Sequence, residues 1–151
     1  MNMKANKIRY KTNKATEHEL FLHLTECGDT FIPPLAKRVN IKEYAQKIHE
    51  KSVTFEAWDG VFLIGFIAAY FNDTTNSSAY ITNVSVARNF AGAGIASKLL
   101  NMCIEYARNN NFTELTLEVY KNNNPAVRLY NKFGFKNIEI KDDAIIMKRQ
   151  N

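Results

Sequence analysis

The sequence predicts an α/β chain: a mixed sheet of about six to seven strands with helices on both faces. Three patterns point there. An apolar run from Ala79 to Val86, a helical pattern from Ile95 to Tyr106 and an alternating run around Leu115, Leu117 and Val119 form a strand-helix-strand unit. Such a unit makes its strands parallel, with a right-handed crossover. Asp59-Gly60 between two apolar runs reads as a hairpin turn, so the strands flanking it are antiparallel. Helical patterns lie both before and after these strands, which puts helices on both sides of the sheet.

Taken in order, Ile8 to Thr12 is a short first strand. Thr16-Glu17-His18-Glu19 places a capping hydroxyl three residues before a glutamate, and Leu20, Phe21 and Leu24 then share a helix face. Gly28-Asp29 ends that helix. Phe31-Ile32-Pro33-Pro34-Leu35 is an apolar loop, because its prolines fix φ and remove donors. Asn40 caps a second helix that buries Ile41, Tyr44, Ala45 and Ile48. Val53 to Trp58 and Val61 to Phe71 are the hairpin strands, and a polar loop from Asn72 to Ser78 leads into the strand at Ala79. Leu115, Leu117 and Val119 alternate with Thr116, Glu118 and Tyr120. Pro125 suits the first turn of a helix carrying Ala126, Leu129, Tyr130 and Phe133, and Gly134 closes it. Phe135 to Ile140 and Ala144 to Lys148 are the last strands.

The chain has 151 residues, 46% of them hydrophobic and 23% charged, which suits a single domain spanning residues 1–151. The segment from Met1 to Lys7 has no apolar block behind it, and no run approaches the roughly 18 apolar residues of a membrane span. Cys27 and Cys103 lack metal-ligand spacing, so no metal is expected; both read as buried small residues in a reducing, cytoplasmic compartment. The net charge of +5 is scattered rather than gathered into a basic face, which argues against nucleic acid as a partner.

Two glycines of the six, Gly92 and Gly94, sit between the Ala79–Val86 strand and the following helix. A strand entering a helix there leaves free backbone N–H groups at the helix start, which together with the helix dipole favour an anion. Gly92, Ala93, Gly94, Ile95, Ala96 and Ser97 therefore form a candidate diphosphate cradle, although a tight strand-helix turn alone also calls for glycine. The P-loop pattern is absent. A dinucleotide fingerprint needs a third small residue in step and usually opens a domain, whereas here about 80 residues come first.

Val84-Ser85-Val86, Gly92-Ala93-Gly94-Ile95-Ala96-Ser97-Lys98-Leu99-Leu100, Leu117-Glu118-Val119 and the block from Asn123 to Phe135 together resemble the GNAT superfamily of N-acetyltransferases. The resemblance is specific from about Ala79 to Phe135. The family's signature has Gln or Arg where this chain has Ala91, so a long polar side chain is missing from the loop; Arg88 and Lys98 are candidate replacements or plain surface. What the resemblance implies is an acyl-CoA N-acyltransferase fold that binds acetyl-CoA. Its pantetheine arm would lie along Val84, Ser85 and Val86, where a main-chain N–H polarises the thioester carbonyl. Tyr130 falls at the family's general-acid tyrosine, although its place on an apolar helix stripe also makes it a core residue. Asn123 matches a pantetheine contact, and equally a helix cap. Glu118 is the candidate proton acceptor for the amine; Asn83 and Ser85, on one face of their strand, are the alternative, as holders of a water.

The expected acceptor is an amine of a small molecule, an amino sugar or similar, or a protein N-terminus. The resemblance further implies that the loop at Phe31 with Asp29, opposite Tyr70, Asn72, Asp73 and Asn83, forms the acceptor wall. His18, His23 and His49 read as surface or core-edge residues. A non-catalytic acetyl-CoA-binding module is the rival reading, supported by Ala91 alone. A homodimer is left open.

Overall fold

The computed structural model describes residues 7–151. The chain runs β1 (Ile8–Thr12), α1 (Glu17–Cys27), α2 (Ile41–Lys51), β2 (Val53–Asp59), β3 (Phe62–Asp73), β4 (Ser78–Val86), α3 (Ile95–Asn109), β5 (Glu114–Tyr120), α4 (Asn124–Lys132), β6 (Lys136–Lys141) and β7 (Ala144–Gln150). The strands form one seven-stranded sheet in the order β1-β2-β3-β4-β5-β7-β6. Only β4 and β5 pair in parallel; every other neighbouring pair is antiparallel.

The expected elements form, with shifted ends. Asp59 pairs with Phe62, so the hairpin turn is Gly60-Val61 rather than Asp59-Gly60, with Gly60 at φ +59°. Asp73 still pairs with Ser78, which lengthens β3 past Phe71 into the stretch read as loop. Thr16 accepts from the Glu19 N–H while Glu19 accepts from the Thr16 N–H, closing the capping box at the start of α1. Asn40 caps α2 through the Glu43 N–H. The proline loop carries short 3-10 turns at Gly28–Thr30 and Leu35–Lys37.

Two cores flank the sheet. Ile95, Leu99, Leu100, Cys103 and Ile104 of α3 pack on Phe55, Ile67, Ile81, Leu115 and Leu117. Leu20, Leu24, Ala45 and Ile48 of α1 and α2 pack on Trp58, Phe66 and Ala68 of the other face. Each fully buried aliphatic side chain contributes about 1.5–3 kcal/mol over its exposed state. Among the described residues no helix is long and apolar enough to cross a membrane.

Candidate active site

The parallel ladder between β4 and β5 runs from Ser78–Glu114 to Ile81–Leu117 and stops there. The cause lies one residue further on. Ala69 of β3 opposes Ile81 and Ala68 opposes Asn83, so Thr82 is an extra residue, a β-bulge. Its carbonyl accepts from the Tyr44 hydroxyl at 2.6 Å, and its own hydroxyl lies 2.8 Å from the same oxygen. Past the bulge β4 turns away from β5, and its edge there has no strand partner. A cleft of about 210 Å³ opens between them, with Thr82 to Val86 on one side and Glu118 to Tyr120 on the other. Asn123 and Tyr130 of the α4 segment line it too, as do Phe31, Ile32 and Arg38 of the α1–α2 connection.

Beyond β4 the chain reaches the glycine turn. Gly92 has φ +81° and Gly94 φ +80°, values that side chains disfavour, and a Cβ at either position meets nothing within 4 Å. The backbone conformation thus requires glycine, and the space over the turn is open. Gly94 heads α3 without any side-chain cap, and the Lys98 N–H is bonded to its carbonyl at 3.1 Å. The N–H groups of Ile95, Ala96 and Ser97 precede that bond and point out of the helix start. Lys98 does not reach over this turn: its Nζ lies over the Tyr10 ring, 5.3 Å from the centroid.

Tyr130 belongs to the core, buried on the α3 side beside Phe135, and also reaches the cleft. Burial alone pushes its hydroxyl well above the usual phenol range, so it stays protonated. Asn123 caps α4 through the Ala126 N–H at 3.4 Å while lining the cleft. Glu118 is exposed, on the strand face opposite the buried Leu117 and Val119.

Asn83 and Ser85 do share a face, but a buried one, and they meet a residue that sequence reasoning placed elsewhere. His23 is 3% exposed, and its Nε2 lies 2.9 Å from the Ser85 hydroxyl. Its Nδ1 lies 3.2 Å from the Leu63 carbonyl, which only accepts, so the proton sits on Nδ1 and Ser85 donates to Nε2. The Asn83 amide donates to Ser85 Oγ at 3.1 Å and to the Phe66 carbonyl at 3.2 Å. Its Oδ1 is buried with no partner. Burial lowers the His23 pKa to about 4, against a smaller raising effect of the Leu63 bond. The expectation of a surface or core-edge histidine is therefore corrected for His23. The signal was present: Leu20, His23, Leu24 and Cys27 fall on one helical stripe.

The candidate acceptor residues divide. Phe31 and Asn83 line the cleft. Asp29 instead lines a larger cavity of about 700 Å³ with Glu19, His23, Glu26 and Asp59. Tyr70 of β3 pairs with Tyr80 of β4 and lies under Lys47, whose Nζ is 5.3 Å from its ring; it does not line the cleft. Asp73 does not line the cleft: it closes the β3–β4 turn by accepting from Asn76, and its neighbour Asn72 is exposed there as well. Arg38 and Thr82 went unread. Arg38 is one charge among many in the sequence, and a bulge leaves no mark on an alternating pattern.

The chain is 38% identical over 65 residues to the chloroplastic GCN5-related N-acetyltransferase 6 of Arabidopsis thaliana, a match covering 43% of this chain and 23% of that protein. It is 33% identical over 86 residues to a streptothricin acetyltransferase of Escherichia coli, covering 57% and 48%. The matched stretches thus span from a quarter to a half of those relatives. The crystal structure of the PaiA N-acetyltransferase of Thermoplasma acidophilum in complex with coenzyme A shares the fold, with a TM-score of 0.76 at 16% identity over 96% of this chain and 99% of that one. Residues 18–135 match the Acetyltransferase (GNAT) family, a span that holds both the divergent strands and the glycine turn, and the chain belongs to that family.

Proposed function

We propose that the protein transfers an acetyl group from acetyl-CoA to a primary amine, either of a small molecule such as an amino sugar or of a protein N-terminus. The observation that carries this reading is the free β4 edge beyond Thr82, followed through a 3-10 turn at Arg88–Phe90 and the glycine turn by the uncapped start of α3. The residues fit the coenzyme. Open space over Gly92 and Gly94 admits a diphosphate, and the N–H groups of Ile95, Ala96 and Ser97 offer it donors without a long side chain at position 91. Val84, Ser85 and Val86 present an unpaired strand edge to the amides of the pantetheine arm, and a related fold is known with coenzyme A. Bound acetyl-CoA supplies an acetyl thioester at the cleft.

Tyr130, protonated and lining the cleft, donates a proton to the departing sulfur. An alkylamine with pKa about 10 must first lose a proton, and the exposed Glu118 carboxylate accepts it, directly or through water. Asn83, with its bare Oδ1, orients the amine or that water. Buried, unpaired Cys27 and Cys103 suit a reducing cytoplasm.

Calorimetry with acetyl-CoA, followed by thiol release against a panel of amines, tests the reading. Binding with amine-dependent thiol release is expected. Binding without release from any amine turns it into a sensing module, and no binding at millimolar coenzyme overturns it.

A further inference from the structure

We propose that the acceptor carries an oxyanion, carboxylate or phosphate, beside its amine, and that Arg38 recognises it. This rests on the acetyl-transfer reading and narrows its substrate class. Arg38 lies between two aromatic rings: its Cζ is 5.8 Å from the Phe31 centroid and 5.7 Å from the Tyr120 centroid. Phe31 belongs to the α1–α2 connection and Tyr120 to the end of β5, so the guanidinium ties that connection to the β5 side of the cleft. Two rings within about 6 Å hold a guanidinium in place while its N–H groups stay free to donate. The ion pairs among the described residues are Arg108–Glu105 and Lys148–Glu114; Arg38 takes part in neither. It is therefore an oriented cation at the cleft with its charge unanswered by a carboxylate.

Glu118 lines the same cleft and shares a strand face with Tyr120. The lining of this space of about 210 Å³ thus carries one carboxylate and one guanidinium. That pairing suits a molecule that carries both an ammonium and an oxyanion. The planar guanidinium suits the bidentate acceptance of both carboxylate and phosphate. An acceptor with a second ammonium, such as a polyamine, would meet Arg38 with like charge.

The test measures thiol release with an α-amino acid and its carboxamide, glucosamine 6-phosphate and glucosamine, and spermidine. At least one anionic acceptor is expected to exceed its neutral counterpart roughly tenfold or more in kcat/KM. The arm in which this appears identifies carboxylate or phosphate. Arg38→Ala should abolish the preference, with the loss for the anionic acceptor appearing in KM rather than kcat; Arg38→Lys should restore only part of it. Calorimetry of the preferred acceptor against coenzyme-saturated protein should show the same loss without turnover. Equal rates for charged and neutral acceptors, a preference for spermidine, or an Arg38→Ala defect confined to coenzyme binding would each overturn the assignment. Failure of every amine overturns the acetyl-transfer reading itself, and this inference with it.

Discussion

His23 Nε2 and the Ser85 hydroxyl, 2.9 Å apart, join α1 to the strand that carries the cleft. Both ends of the imidazole are engaged, so the ring is held neutral with one defined tautomer. Protonating Nε2 sets two donors against each other and places a charge in the core. An unfolded histidine titrates near 6.5, and the folded one near 4. The unfolded chain therefore binds the proton first as pH falls. The stability that neutral His23 supports is complete above about pH 6.5 and is lost progressively down to about pH 4. From pH 7.5 to 4.5 this one group should remove about 2–3 kcal/mol of unfolding free energy. Urea denaturation of the wild type and His23→Gln at both pH values isolates it: the variant starts less stable but loses less. Equal losses in the two proteins would refute the coupling.

Tyr130 gives a prediction in which activity and stability separate. Burial is the only cause acting on its hydroxyl, and no hydrogen bond contributes. Tyr130→Phe should leave unfolding free energy within about 0.5 kcal/mol. Acetyl transfer should fall at least about tenfold, within the roughly 10²–10⁴ scale of general-acid catalysis, while calorimetry shows unchanged acetyl-CoA binding. Unaltered turnover would return the residue to a core role.

How far the sequence could be read follows from the range of each signal. Periodicity is local, so the capping box at Thr16, the alternation at Leu115–Val119 and the Asn123 cap were all legible. Gly94 was legible because its backbone need is local too. The His23–Ser85 bond spans 62 positions, and nothing short of the α1–sheet docking brings its partners together. The Thr82 bulge is a slip of a single residue between two strands, invisible in either strand alone. The Asp73 carboxylate shows the opposite case: it serves its own turn, accepting from Asn76 three residues away.

Glu56 anchors the segment that leads into α1, the helix that carries His23. It is fully buried, and its carboxylate accepts from the Lys14 and Ala15 N–H groups, the Thr54 hydroxyl at 2.6 Å and the Trp58 indole at 3.0 Å. Every partner is a donor, which suits an acceptor-only carboxylate. Glu56→Gln turns one oxygen into a donor facing donors. The expected cost is about 3 kcal/mol, read from chemical denaturation at neutral pH. A loss below about 1 kcal/mol would mean the segment before α1 is held by other contacts.

Gly94 lets the backbone and ligand roles of the glycine turn be told apart. At φ +80° an alanine is strained by about 1–2 kcal/mol, and since a Cβ there meets nothing within 4 Å, crowding adds nothing to that cost. Asparagine tolerates this conformation far better than alanine. Gly94→Ala should therefore lower thermal stability clearly and Gly94→Asn only slightly. Both place a side chain over the turn where the diphosphate would lie, so both should weaken acetyl-CoA binding, by roughly tenfold or more if one or two donor contacts are lost. Calorimetry and thermal unfolding of the two variants measure these effects independently. Full acetyl-CoA affinity in Gly94→Asn would show that the glycine serves the turn alone, and the coenzyme's approach to the start of α3 would have to be sought elsewhere on the β4 edge.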